Sequence, residues 1–293
     1  MTTPAAWNVL RSADRSELVL ACDFSAAGRP IAGFADLTGL LTTECTLWET
    51  APPPPEEAAR MTGADQVARW AADVRAAAIP VRAVLGFCTG ALYAGALAEE
   101  IAGRQPRPRL ILLDPEPVRT QAMLGFYESL VGERFASVLS PAEAEEALHE
   151  ARRLAGAYGP TELAHRFGTL LGGVVESAFA RLGLPGGRVA EFTGLSLSYL
   201  YWLGAADACA MRGPWASATA VNGTTPGMGL DSFAPAERAG LVERAFHLDV
   251  SHADLMRSAE TARLVDDLLS DDPLSREQGE LTWTIPTPPG PTS

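Results

Sequence analysis

Residues 81–118, VRAVLGFCTGALYAGALAEEIAGRQPRPRLILLDPEPV, constrain the fold of this chain more than any other stretch. An apolar run meets Gly-x-Cys-x-Gly and passes at once into a strong helix former that stops at Gly103. A second apolar run follows and ends at Asp114 beside two prolines. Strand, helix, strand at this spacing implies a parallel crossover, and parallel strands with continuous apolar runs are buried on both faces. The expected class is therefore α/β, with a mostly parallel central sheet flanked by helices.

The flanking segments extend the pattern. ELVLACDF (17–24) reads as a buried strand entering the turn SAAGRP, PIAGFADLTGLL has helical spacing, and TECTLWET is a further strand. APPPPEEAARM is a proline-rich loop leading into an acidic helix start, and the helix is expected to continue through ADQVARWAADVRAAA with Val67, Trp70, Ala71 and Val74 on one face. From Arg119 to Arg212 the periodicity is helical throughout. Strand character resumes at ASATAVNG, followed by a loop, a short helix PAERAGLVERA, the segment AFHLDVSHADLM and a last helix SAETARLVDDLLS. The expected organisation is a first part of the core over 1–118, a helical lid insertion over 119–212, a second part of the core over 213–280, and a disordered tail over 281–293.

Composition narrows the chemistry. The net charge of −13 and the lack of a basic stripe argue against nucleic acid, and no apolar run is long enough to span a membrane. The start of the chain shows no basic region followed by an apolar stretch, so a cytoplasmic location is expected. The chain contains no lysine, which excludes Schiff-base chemistry and a Walker-type lysine. The four cysteines, Cys22, Cys45, Cys88 and Cys209, form no CxxC pair, so neither a metal site nor a disulfide framework is expected, and no bound cofactor.

Cys88 differs from the other cysteines in its setting. A strand that ends in Gly-x-nucleophile-x-Gly and turns into a helix exposes the central side chain at the helix N-terminus, and Gly86 and Gly90 leave room for the tight crossing. The helix dipole there favours a thiolate. A nucleophilic thiol needs a base and an orienting acid. Of the four histidines, His149 and His165 fall among polar residues of the helical region and His247 falls within a strand. His252 follows the last strand, at the carboxyl edge where open α/β sheets place their sites. Asp114 ends the strand after the elbow helix and reaches the same edge. The order Cys88, Asp114, His252 is the nucleophile, acid, base order of α/β-hydrolases. The oxyanion hole is expected from the backbone N–H of Thr89 and of Ala26 or Ala27 in the loop after the first core strand.

The segments LVLACDFSAAG, VRAVLGFCTGALYAGALAEEI, LILLDPEPV and DVSHADLM resemble the thioesterases of polyketide and nonribosomal peptide synthesis. Two features depart from that family's usual pattern: cysteine replaces serine at the elbow, and Phe87 stands where histidine is frequent. The resemblance implies an α/β-hydrolase fold with a lid between acid and base. It also implies a small-molecule acyl substrate delivered as a phosphopantetheine thioester by an acyl or peptidyl carrier protein. Phe87, Phe126, Tyr127, Tyr199 and Trp202 are candidates for lining the acyl pocket, although packing of these rings, with Phe167 and Tyr201, between lid helices is the simpler reading. A thioesterase or acyltransferase is the expected function. The alternatives are a non-catalytic hydrolase-fold scaffold that binds a carrier, and a cyclase or lyase that uses His252 without covalent attachment.

Overall fold

The structure is a computed structural model in which residues 4–13, 17–24, 31–183 and 186–270 are described. Among the described residues seven strands form one sheet in the order β1-β3-β2-β4-β5-β6-β7. They are β1 (Trp7–Arg11), β2 (Leu18–Cys22), β3 (Thr46–Thr50), β4 (Val81–Phe87), β5 (Arg109–Leu113), β6 (Thr219–Asn222) and β7 (Arg244–His247). All neighbours pair in parallel except β1, which runs antiparallel to β3 at the edge. The helices are α1 (Phe34–Leu40), α2 (Pro55–Ala58), α3 (Gly63–Ala77), α4 (Gly90–Ala102), α5 (Thr120–Ser129), α6 (Pro141–Ala155), α7 (Pro160–Leu182), α8 (Gly186–Ala206), α9 (Pro235–Arg238) and α10 (Ala259–Leu269).

Alternation along the strands divides the core in two, as a sheet covered on both faces requires. Leu18, Leu20, Cys22, Val84, Leu110 and Leu112 point into the layer shared with α3, α4 and the helices between β5 and β6. Val19, Ala21, Ala83, Leu85, Ile111 and Leu113 point to the opposite layer, filled by Phe34 and Leu37 of α1 and by Val265 and Leu269 of α10. The long excursion α5 to α8 joins β5 to β6, which nevertheless pair directly. Its last helix is held to the core where the Tyr93 hydroxyl donates to the Trp202 carbonyl at 2.7 Å. No helix among the described residues is long and apolar enough to cross a membrane.

The structure adds one element to those expected and corrects two others. The segment WNVLR is an edge strand; Trp7 packs against Trp48 and Trp70 at centroid distances of 6.2 and 6.4 Å, a tertiary contact that local spacing does not display. The acidic helix start does not continue into the following helix. Thr62 closes the first stretch and caps the second, accepting from the Asp65 N–H while the Asp65 carboxylate accepts from Thr62 N–H at 2.8 Å. The helix expected over PAERAGLVERA stops at Arg238, because Gly240 turns the chain at φ +67 and Arg244 and Ala245 enter β7. The expected tail over 281–293 lies outside the described residues.

Candidate active site

Cys88 lies between β4 and α4 with φ 51, in the left-handed region that costs a residue with a Cβ about 1–2 kcal/mol. Its backbone is fixed from both sides. The N–H donates to the Leu113 carbonyl at 2.9 Å, continuing the β4–β5 pairing by one residue, and the carbonyl accepts from the Ala91 N–H at 3.1 Å. The flanking glycines are required by contact. A Cβ on Gly90 would lie 2.0 Å from the Cys22 carbonyl oxygen, and one on Gly86 would lie 2.6 Å from the Ala91 Cα. The helix therefore starts directly against the end of β2, with the Cys88 side chain half-buried at its first turn.

Asp114 follows β5 and is also left-handed, at φ 42. Its N–H donates to the Val221 carbonyl at 2.8 Å, and its carboxylate accepts from the Gly223 N–H at 2.7 Å. The second carboxylate oxygen lies 2.9 Å from His252 Nδ1. His252 sits in the loop between β7 and α10, where its N–H donates to Thr225 Oγ1 at 2.8 Å. Its ring stacks on Phe87 at 5.0 Å and 21°. The loops after β6 and β7 touch closely enough that a Cβ on Gly223 would meet the Val250 carbonyl at 2.5 Å.

The electrostatics follow from this enclosure. Burial alone lowers the His252 pKa, but hydrogen bonds to Asp114 and Cys88 and the charges of both outweigh it and raise the value to about 10. The histidine that bridges thiol and carboxylate thus holds a proton firmly once it has it. Thr89, buried at the first turn of α4, has a backbone N–H that no acceptor takes among the described residues. Unused N–H groups at a helix start favour negative charge. Ala26 and Ala27 lie outside the described residues.

The expected aromatic residues have separate surroundings. Phe87 is fully buried beneath His252, and Tyr127 is fully buried against Phe167 at 4.8 Å. Tyr199 and Trp202 of α8 flank Phe24, at 5.3 and 5.7 Å, just beyond the end of β2, and Phe126 meets Tyr199 at 4.7 Å. A cavity of about 710 Å³ lies elsewhere, lined by Ala78, Val81, Arg107 and Arg109 at the opposite ends of β4 and β5 from Cys88 and Asp114.

Four site residues have no mark in the sequence pattern. Glu116 is buried two positions after Asp114, and Gly229 N–H donates to its Oε1 at 3.1 Å. Gly223, Thr225 and Gly229 belong to the loop VNGTTPGMG, whose composition indicates a turn and nothing more. Gly229 combines φ +57 with a virtual Cβ only 2.6 Å from Asp114 Oδ1, so glycine is demanded twice.

Strand order, the left-handed elbow and the Asp114–His252 pair at the same sheet edge define an α/β-hydrolase fold. The sequence matches no protein-family model, and no curated protein matches it. Solved structures similar to it include the Vlm2 thioesterase domain with genetically encoded 2,3-diaminopropionic acid bound with a dodecadepsipeptide. That likeness is at 18% identity, with 90% of this chain and 98% of that one covered and a TM-score of 0.49. Another is the covalent complex of the NocB thioesterase domain with a fluorophosphonate nocardicin G analog, at 16% identity, 88% and 96% coverage and a TM-score of 0.49.

Proposed function

We propose that this protein is a thioesterase or acyltransferase that takes an acyl group from a carrier-protein phosphopantetheine thioester onto Cys88. The observation that carries this reading is Cys88 on a left-handed elbow, its Sγ within 4.8 Å of a ring nitrogen of a histidine that Asp114 holds at 2.9 Å. The carrier-borne substrate and the setting in polyketide or nonribosomal peptide synthesis rest on the motif resemblance.

In this mechanism His252 holds the proton of Cys88 on its ring from the outset, in keeping with its raised pKa, and Sγ attacks the thioester carbonyl. The oxyanion forms against the Thr89 N–H and a second N–H of the Ala26/Ala27 loop. As the intermediate collapses, the bond to the carrier sulfur breaks and His252 returns the proton to the departing thiol. A second acceptor, whether water, amine, hydroxyl or thiol, then gives its proton to His252, attacks the acyl-cysteine and frees Cys88. A raised His252 pKa favours the first half of each step, since a proton moved to the ring stays there until a leaving thiolate claims it. Cysteine exchanges one thioester for another at nearly equal free energy, so loading is reversible and suits transfer as well as hydrolysis.

Intact-protein mass spectrometry tests the reading. Incubation with an acyl-loaded carrier is expected to add one acyl mass to the wild type and none to Cys88→Ala. An adduct of equal yield on the alanine variant, or none on the wild type with any loaded carrier of the class, would sink it.

A further inference from the structure

Three ligating groups meet at the elbow, and acyl transfer needs only two of them. Cys88 Sγ, a carboxylate oxygen of Glu116 and a ring nitrogen of His252 all lie within 4.8 Å of one another. Glu116 is 6% exposed and is fixed at both ends: its N–H donates to the Cys88 carbonyl at 3.3 Å, and its Oε1 accepts from Gly229 N–H at 3.1 Å. Covalent catalysis gives this carboxyl group no task. An ionised carboxylate beside Sγ would oppose both a thiolate and the oxyanion that follows.

We propose that Cys88, Glu116 and His252 form a zinc-binding site, and that zinc bound there takes the thiol out of reaction. Thiolate, imidazole and carboxylate together are the donor set of Zn²⁺, which accepts sulfur, nitrogen and oxygen in a tetrahedron. Bonds of about 2.0–2.3 Å place tetrahedral ligand atoms roughly 3.5 Å apart, so the three groups need to close by about an ångström. The long Glu116 side chain can supply most of that movement. Nδ1 of His252 is engaged by Asp114 at 2.9 Å, which leaves Nε2 for the metal and supplies the carboxylate behind the histidine that zinc sites use to fix the ring. The half-buried Cys88 leaves the fourth position to water. Binding replaces the thiol proton and any proton on the coordinating nitrogen with Zn²⁺ and releases them to solvent, without oxidation or reduction.

The metal site rests on geometry alone; its inhibitory effect also rests on Cys88 being the thiol that is acylated. Titration of the full chain with Co²⁺ tests the first part. The wild type is expected to develop a near-ultraviolet thiolate-to-cobalt band and intense visible bands of a four-coordinate ion, both displaced by one equivalent of Zn²⁺. Cys88→Ala loses the charge-transfer band, and Glu116→Gln, with folding checked by circular dichroism, binds at least about tenfold more weakly. No charge-transfer band in the wild type, or equal affinity in Glu116→Gln, would overturn the site.

Alkylation of wild-type Cys88 by iodoacetamide needs no variant. Stoichiometric Zn²⁺ is expected to slow it at least tenfold and a chelator to restore it; an unchanged rate overturns the proposal. Cobalt binding without acylation would remove the functional reading and leave the metal site standing, whereas acylation without cobalt binding would do the reverse.

Discussion

Burial by itself drives His252 toward the neutral ring, yet Asp114 and Cys88 raise its pKa to about 10, so single charges at this site decide its protonation. In an NMR titration the ring C–H resonances of His252 are expected to stay constant between about pH 6 and 9, where an unperturbed histidine near 6.5 would move. In Asp114→Asn the midpoint falls, because burial then faces less opposition; a wild-type midpoint near 6.5 would refute this account. The sign for stability follows. The folded pKa exceeds the unfolded one, so the contribution is complete below about pH 6.5 and is lost as pH rises through about 10. That Cys88, Asp114 and His252 come to one sheet edge was legible in the sequence, because each follows an apolar run and parallel strands bring such ends together. Glu116 was not, since a glutamate between prolines reads as loop until the elbow is folded against it. The zinc donors likewise come from three separate loops and leave no local spacing to find.

Among elements, strands and long helices were readable from periodicity, while β1 and the break between α2 and α3 were not. Contacts of Trp7 with Trp48 and Trp70 fix the first and the reciprocal Thr62–Asp65 cap fixes the second, so both depend on partners rather than on period. Glycines separate along the same line. Gly90 abuts the Cys22 carbonyl at 2.0 Å from a virtual Cβ, a backbone atom that no rotamer change can move away. Gly90→Ala is expected to cost about 3 kcal/mol or more in urea unfolding and to displace Cys88. Gly173, exposed in the middle of α7 with nothing within 4 Å of a virtual Cβ, has the opposite sign. Gly173→Ala is expected to add about 0.5–1 kcal/mol, since alanine loses less backbone entropy on entering a helix. Equal unfolding midpoints for the two variants would show that close packing at the elbow does not control stability there.

At the scale of the whole molecule, the last elements must return to a sheet begun before the long excursion through α5 to α8. Two ties hold that return. The Arg109 guanidinium, at the start of β5, donates to the carbonyls of Leu268 and Ser270 at 2.9 Å each. Asp266 of α10 accepts from the Thr42 N–H, the Thr42 hydroxyl and the Thr43 N–H at 2.8, 2.7 and 2.9 Å, across more than two hundred residues of chain. Burial alone raises the Asp266 pKa, but these donors outweigh it and leave it below the usual carboxylate value. A lowered folded pKa gives stability that is present above the unfolded value near 3.9 and is lost as pH falls through the folded one. Asp266→Ala is therefore expected to cost about 1.5–3 kcal/mol at pH 7 by urea unfolding, the range for hydrogen bonds to a charged acceptor. At a pH below the unfolded value near 3.9 the gap between variant and wild type should narrow, because the wild-type carboxylate gains protons as pH falls through its lowered folded value. A deficit of the same size at both pH values would mean that Asp266 acts through packing rather than charge, and no deficit at pH 7 would mean that the closure between first and last elements is held elsewhere.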